Sequence, residues 1–263
     1  MGDSDKPLMR YSTSEMAKDV LEILEHVGWL DRPISPPART LHFVGLSMGG
    51  MILQEIACLI PEYVSSLNLC CTAAAIENTT TFWENMINRA SMLVPKSLEN
   101  SVRSTARQIF TLKYLAGQDN AHLPDPAATT KVNPPPGGGE YLRFGTNYER
   151  FVAQEMHKRL DPKRFGTKGF MLQLIAAGWH HKTATQLAEM ADKVGRERIL
   201  VLHGVEDGMI STPHGRKLIE YINPGVGIIR ENLGHAPVLE DTDWFNALLT
   251  EQFEKGEKLD GRA

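Results

Sequence analysis

Three side chains, taken in order along 263 residues, could together carry acyl-transfer chemistry: Ser47, Asp207 and His235. A serine hydroxyl is a weak nucleophile until a base stands beside it. A histidine serves as that base when an acid holds it in one tautomer. Ser47 lies in Gly45-Leu46-Ser47-Met48-Gly49-Gly50, between an apolar run, Leu41 to Leu46, and a helical pattern, Met51 to Ile60. A strand-to-helix turn of this kind pushes the hydroxyl out above the strand's carboxyl end. Glycine on both sides of the serine leaves room where strand and helix cross. The Met48 N–H, at the helix amino end, is aimed at any oxyanion forming beside Ser47. Asp207 follows the apolar run Arg198 to His203, and His235 follows Val226 to Arg230. Glu206 is the neighbouring competitor for the acid role. The stretch after Leu67 to Thr72 carries no carboxylate, which favours Asp207.

The elements that must position these residues can be read from periodicity. Ser12-Thr13-Ser14-Glu15 is a capping box, followed by Met16, Val20, Ile23, Leu24 and Val27 at helical spacing. A Pro-rich break, Arg32 to Pro37, separates this helix from the elbow strand. Val64 to Thr72 reads as the next buried strand, so strand, helix and strand form a parallel crossover. From about Ala75 to Val194 the strand pattern disappears. Helical patterns run over Phe82 to Leu93, Leu98 to Leu115, Tyr148 to Leu160, Phe170 to Ala177 and Thr183 to Val194, with a loop from Leu123 to Gly139. This block is expected to be a helical cap, residues 75–194, inserted into a core made of 1–74 and 195–263. The α/β alternation returns with Arg198 to His203, a helix from Pro213 to Ile222, the strand Val226 to Arg230 and a closing helix, Asp243 to Phe253.

Composition narrows the function classes. The net charge is −4 with acids and bases interspersed, so there is no nucleic-acid footprint. The three cysteines make no disulfide framework, and Cys70 and Cys71 read as small core residues. No apolar stretch is long enough to span a membrane, and the start lacks a signal core. The expectation is a cytoplasmic protein. No group of His, Cys or carboxylates has metal-ligand spacing, and no dinucleotide or Walker sequence occurs, so neither metal nor cofactor is expected.

On Gly45 to Gly50, His203-Gly204-Val205-Glu206-Asp207, and Gly234-His235-Ala236-Pro237 with Glu240 and Phe245, the chain resembles the α/β-hydrolase superfamily in its capped, serine-nucleophile branch. Gly2-Asp3-Ser4-Asp5-Lys6-Pro7 also resembles a Gly-x-Ser-Asp segment of that family. The resemblance implies an α/β-hydrolase-like parallel sheet with a helical cap, and ester hydrolysis through an acyl-enzyme. A serine at the elbow argues against the aspartate-using dehalogenase and epoxide-hydrolase branches. One departure stands out. Only 46 residues precede Ser47, too few for the family's earlier strands and their crossovers, and no His-Gly segment precedes it. The chain is therefore read as N-terminally truncated. It would lack half the oxyanion hole, and its elbow strand would become an open edge able to self-associate.

The leading expectation is a serine hydrolase of carboxylic esters, with Ser47 as nucleophile, His235 as base, Asp207 as acid and Met48 as an oxyanion donor. Its partner would be a small acyl substrate. Leu46, Trp179, His180 and His181 are candidate substrate contacts, solvated loop histidines being the plainer reading of the last two. Met51, Phe82, Trp83 and Met86 could line an acyl pocket or simply pack in the core. His42, on the elbow strand, reads as a satisfied core histidine. Two rival readings are a catalytically impaired ligand-binding or interaction module, and a cofactor-free peroxidase or C–C hydrolase using the same triad.

Overall fold

The computed structural model describes residues 3–7, 11–30, 39–77, 97–119, 121–125 and 140–262. Helix α1 (Thr13–His26) starts at the expected capping box: the Ser12 hydroxyl accepts the Glu15 N–H, and the Glu15 carboxylate accepts the Ser12 N–H. Strand β1 (Leu41–Leu46) runs into α2 (Met48–Leu59), and a short 3-10 turn leads on to β2 (Val64–Cys70). The described residues between β2 and β3 carry no named strand and form α3 (Leu98–Ile109), α4 (Leu112–Ala116), α5 (Asn147–Arg159), α6 (Thr167–Trp179) and α7 (Ala184–Val194). Then come β3 (Ile199–Gly204), α8 (Thr212–Ile222), β4 (Val226–Arg230), the short α9 (Pro237–Glu240) and α10 (Thr242–Leu259).

The four strands form one parallel sheet in the order β1-β2-β3-β4. Their side chains alternate between two apolar layers, as the two-residue period of a strand requires. Leu67, Leu69, Ile199 and Val201 face a layer shared with α1, α2, α7 and α8, through Leu24, Ile56, Leu187 and Leu218. Cys70, Leu200 and Leu202 face Phe245 and Leu248 of α10. Helices on both faces explain why these strands read as continuous apolar runs. Each fully buried side chain of this size contributes about 1.5–3 kcal/mol. Leu46 pairs with Cys70 and Cys70 with Leu202, which sets the carboxyl ends of β1, β2 and β3 level. Among the described residues β1 is paired on one side only, and Val44 is 43% exposed.

Two expectations change. The insertion does not extend to Val194: Leu187, Met190, Ala191 and Val194 of α7 lie in the core layer, so α7 is the crossover helix before β3. An antiparallel bridge joins Ala75 and His181, close to the start of the expected cap, with the Lys182 N–H donating to the Ala74 carbonyl at 2.8 Å. The single helix expected from Leu98 to Leu115 is two. Phe110 is extended, and Thr111 restarts the helix by capping the Tyr114 N–H. The expected helix Phe82 to Leu93, the break Arg32 to Pro37, and residues 126–139 of the expected loop lie outside the described residues. No helix among the described residues is long and apolar enough to cross a membrane, and none of their His, Cys and carboxylate side chains gather as a metal site.

Candidate active site

Ser47 has φ 56° and ψ −125°, a conformation that ordinarily demands glycine. Holding it costs on the order of 1–3 kcal/mol. The Ser47 N–H donates to the Cys70 carbonyl at 3.0 Å, tying the elbow to β2. A Cβ at Gly45 would come within 2.7 Å of the Gly49 carbonyl oxygen and the Gly50 nitrogen, and one at Gly50 within 2.6 Å of the Thr72 side chain. A Cβ at Gly49 would meet nothing within 4 Å. The glycines that the crossing requires are therefore Gly45 and Gly50, which corrects the expectation for Gly49. Ser47 offers α2 no side-chain cap. The Met48 N–H, first in that helix, is among the groups a helix leaves without an internal partner.

Asp207 and His235 meet. His235 Nδ1 lies 2.7 Å from Asp207 Oδ2, and the two residues are 7% and 5% exposed. Asp207 Oδ1 accepts the N–H groups of Met209 and Ile210 at 2.8 and 2.9 Å. These bonds to both oxygens hold the carboxylate in one orientation. His235 Nδ1 must carry the proton in this pair, which leaves Nε2 as the ring's basic nitrogen. Glu206 is exposed. Buried His203 completes the surroundings, with Nε2 at 2.7 Å from the Ile210 carbonyl oxygen and 3.4 Å from Asp207 Oδ2. Ser47 Oγ and His235 are not hydrogen-bonded to each other. Cys71 joins their neighbourhoods: it follows Cys70, the acceptor of the Ser47 N–H, and its Sγ is 3.7 Å from the Gly234 carbonyl oxygen. Burial pushes the thiols of Cys70 and Cys71 up, that of Cys70 to about 12, so both are inert core groups.

The carboxyl end of α3 holds both loops. The Gly208 N–H donates to the Gln108 carbonyl at 3.0 Å and the His235 N–H to the Ile109 carbonyl at 2.7 Å, both at the carboxyl end of α3. Glu240 spans the same seam, accepting the Gly234 N–H at 2.9 Å and the Thr111 N–H at 3.0 Å. Its burial raises the carboxyl pKa. Sequence reasoning matched Glu240 to a motif but did not foresee this bridge, because nothing local says that Thr111 returns to it.

The candidate substrate contacts fare differently. His180 is buried, with Nδ1 at 3.0 Å from Thr13 Oγ1 and Nε2 at 3.2 Å from Gln54 Oε1. Both ring nitrogens are engaged by α1 and α2, so neither the substrate contact nor the solvated loop histidine holds. Burial lowers its pKa to about 4. His181 is exposed and Trp179 is 63% exposed. Leu46 packs on the Cys70–Leu202 layer. Met51 is buried with Ala73 and Ile210. His42 bonds Ser66 and Glu257, a structural role at the α10 side of the sheet. Phe82, Trp83 and Met86 lie outside the described residues. A cavity of about 530 Å³ opens at the amino end of α2, with Met48, Ile52, Met16, Val20 and Leu172 among its lining. A second, also about 530 Å³, lies behind the base loop against Phe110, Phe151 and Glu240. Only the first of these two reaches the elbow helix.

Residues 1–114 match the sequence model of the α/β hydrolase fold family. No curated protein matches the chain in sequence. Among solved structures, a meta-cleavage product hydrolase from Pseudomonas fluorescens (CumD) is 18% identical, with 97% of this chain and 76% of that one covered and a TM-score of 0.63. Est816, described as an N-acyl homoserine lactone degrading enzyme, is 18% identical over 95% of this chain and 78% of its own, with a TM-score of 0.60. A hydrolase from Pseudomonas aeruginosa is 21% identical over 95% and 75%, with a TM-score of 0.56. At these identities the structural likeness speaks for the fold. Parallel strands covered on both faces, a strained serine between strand and helix, and the sequence match over residues 1–114 agree: the chain has the α/β-hydrolase fold.

Proposed function

We propose that this protein is a serine hydrolase of carboxylic esters. The observation that carries the reading is the buried Asp207–His235 pair, which fixes the imidazole tautomer; His235 and the strained Ser47 both follow the carboxyl ends of strands in the one parallel sheet. Ser47 Oγ attacks the ester carbonyl while His235 Nε2 takes its proton. The tetrahedral oxyanion is met by the Met48 N–H at the helix amino end. Collapse expels the alcohol, which receives the proton from His235 and leaves Ser47 acylated. Water then repeats the sequence and releases the acid. Asp207 holds the imidazolium throughout. The Met48 cavity, with apolar Ile52, Met16, Val20 and Leu172, suits an acyl chain. A lactone is an ester closed into a ring, so the activity named for Est816 falls in the same reaction class.

The test is covalent labelling. A fluorophosphonate should label the protein once, and Ser47→Ala should abolish labelling and p-nitrophenyl ester turnover together. Labelling that survives the substitution would remove Ser47 from the mechanism.

A further inference from the structure

His203 is fully buried in β3, and its ring fits where α8 presents Gly215: a Cβ there would stand 2.4 Å from the His203 ring. Nε2 lies 2.7 Å from the Ile210 carbonyl oxygen. A carbonyl only accepts, so Nε2 bears the hydrogen and Nδ1 is left as a buried lone pair without a partner. The histidine meets the Ile210 carbonyl at the cost of one unmet nitrogen, whereas an apolar side chain would leave that carbonyl without this donor. The locked N–H holds the carbonyl of Ile210, the residue whose own N–H, with that of Met209, donates to Asp207 Oδ1. The same N–H stands 3.4 Å from Asp207 Oδ2, the oxygen that receives His235.

We propose that His203 is a positioning residue for the acid–base pair: its Nε2–H holds the Ile210 carbonyl and thereby sets the carboxylate that orients His235. This rests on the triad reading above. The required feature is a donor at the Nε2 position rather than an imidazole. His203→Gln places an amide N–H near that position, whereas His203→Asn keeps the polarity but falls short of Ile210.

The experiment compares the two variants with the unaltered protein in p-nitrophenyl ester turnover, thermal melting and fluorophosphonate labelling rate. Both should melt cooperatively. Asn should lower kcat and the labelling rate by about 10-fold or more with KM unchanged, since a misplaced catalytic group can cost up to about 100-fold. Gln should restore most of the loss. Equal rates in Gln and Asn, whether both normal or both impaired, overturn the proposal, because the donor would then not matter. A rise in KM with kcat unchanged also overturns it. If the unaltered protein is not labelled at Ser47, the triad reading falls and takes this proposal with it. If it is labelled there and both variants label normally, only the role of His203 falls.

Discussion

Replacing Asp207 by asparagine should separate catalysis from folding. The carboxylate serves two kinds of partner. Oδ1 accepts two backbone N–H groups at 2.8 and 2.9 Å, and Oδ2 accepts His235 Nδ1 at 2.7 Å. Asparagine keeps an oxygen for the first pair but turns an NH₂ group toward His235. The imidazole must then accept at Nδ1, which moves its proton to Nε2 and removes the base that Ser47 needs. The corresponding change in a Ser-His-Asp protease lowers kcat about 10⁴-fold, which corresponds to about 5 kcal/mol of barrier. Melting should change little, because the buried backbone N–H groups remain satisfied. Asp207→Ala, by contrast, leaves those two N–H groups and His235 Nδ1 without an acceptor, each costing about 1–3 kcal/mol. The assay is kcat on a p-nitrophenyl ester beside a thermal melt for Asp207→Asn, Asp207→Ala and Glu206→Gln. An asparagine variant within tenfold of normal turnover, or a larger loss from Glu206→Gln, would refute the assignment.

Further outcomes can be set beside this one. Gly45→Ala should abolish fluorophosphonate labelling and lower the melting temperature, whereas Gly49→Ala, with open space at its Cβ, should fold at least as well; equal damage from both would show that the crossing is not where the clash lies. The folded pKa of His180 is about 4, below its unfolded value, so the unfolded chain binds the extra proton first and stability should fall as pH drops from about 6.5 to 4. That slope amounts to about 3 kcal/mol and should flatten in a folded His180→Gln protein; an unchanged slope in denaturant titrations would place the dependence elsewhere. The open side of β1 should promote self-association that Val44→Lys reduces, measured by light scattering across protein concentration; a protein that is monomeric with or without the lysine would count against it.

The parts of the fold that were legible in the sequence are those carried by local pattern. β1, α2, β2, β3 and β4 were expected close to where they stand because parallel strands covered on both faces must be apolar throughout, and the capping box at Ser12 announced α1 within one residue. Asp207 was named for its place after β3 with Glu206 as its nearest competitor, and the geometry sets Asp207 against His235. What local pattern could not convey was partnership across the chain. His180 meets residue 13 of the chain, and Thr111 meets residue 240, separations that no spacing rule reaches. The insertion's far boundary was misplaced for a related reason: α7 has the amphipathic period of any surface helix, and only tertiary packing shows that its apolar stripe belongs to the sheet. The expected single helix breaks at extended Phe110, just where the Gln108 and Ile109 carbonyls accept the Gly208 and His235 N–H groups, bonds between distant parts of the chain.

That last arrangement bears on how the protein could be re-engineered. Gln108 and Ile109, at the end of α3, lend their carbonyls to the acid loop and the base loop, and Thr111 is held by Glu240. The last turn of α3 thus supports the loops of the proposed acid–base pair, although in chain order it lies within the expected cap. Grafting a foreign cap at the bridge between Ala75 and His181 would exchange specificity and the support of the imidazole in one stroke. A chimera meant to alter substrate choice alone would have to keep the seam from Gln108 to Thr111 and vary only what projects beyond it.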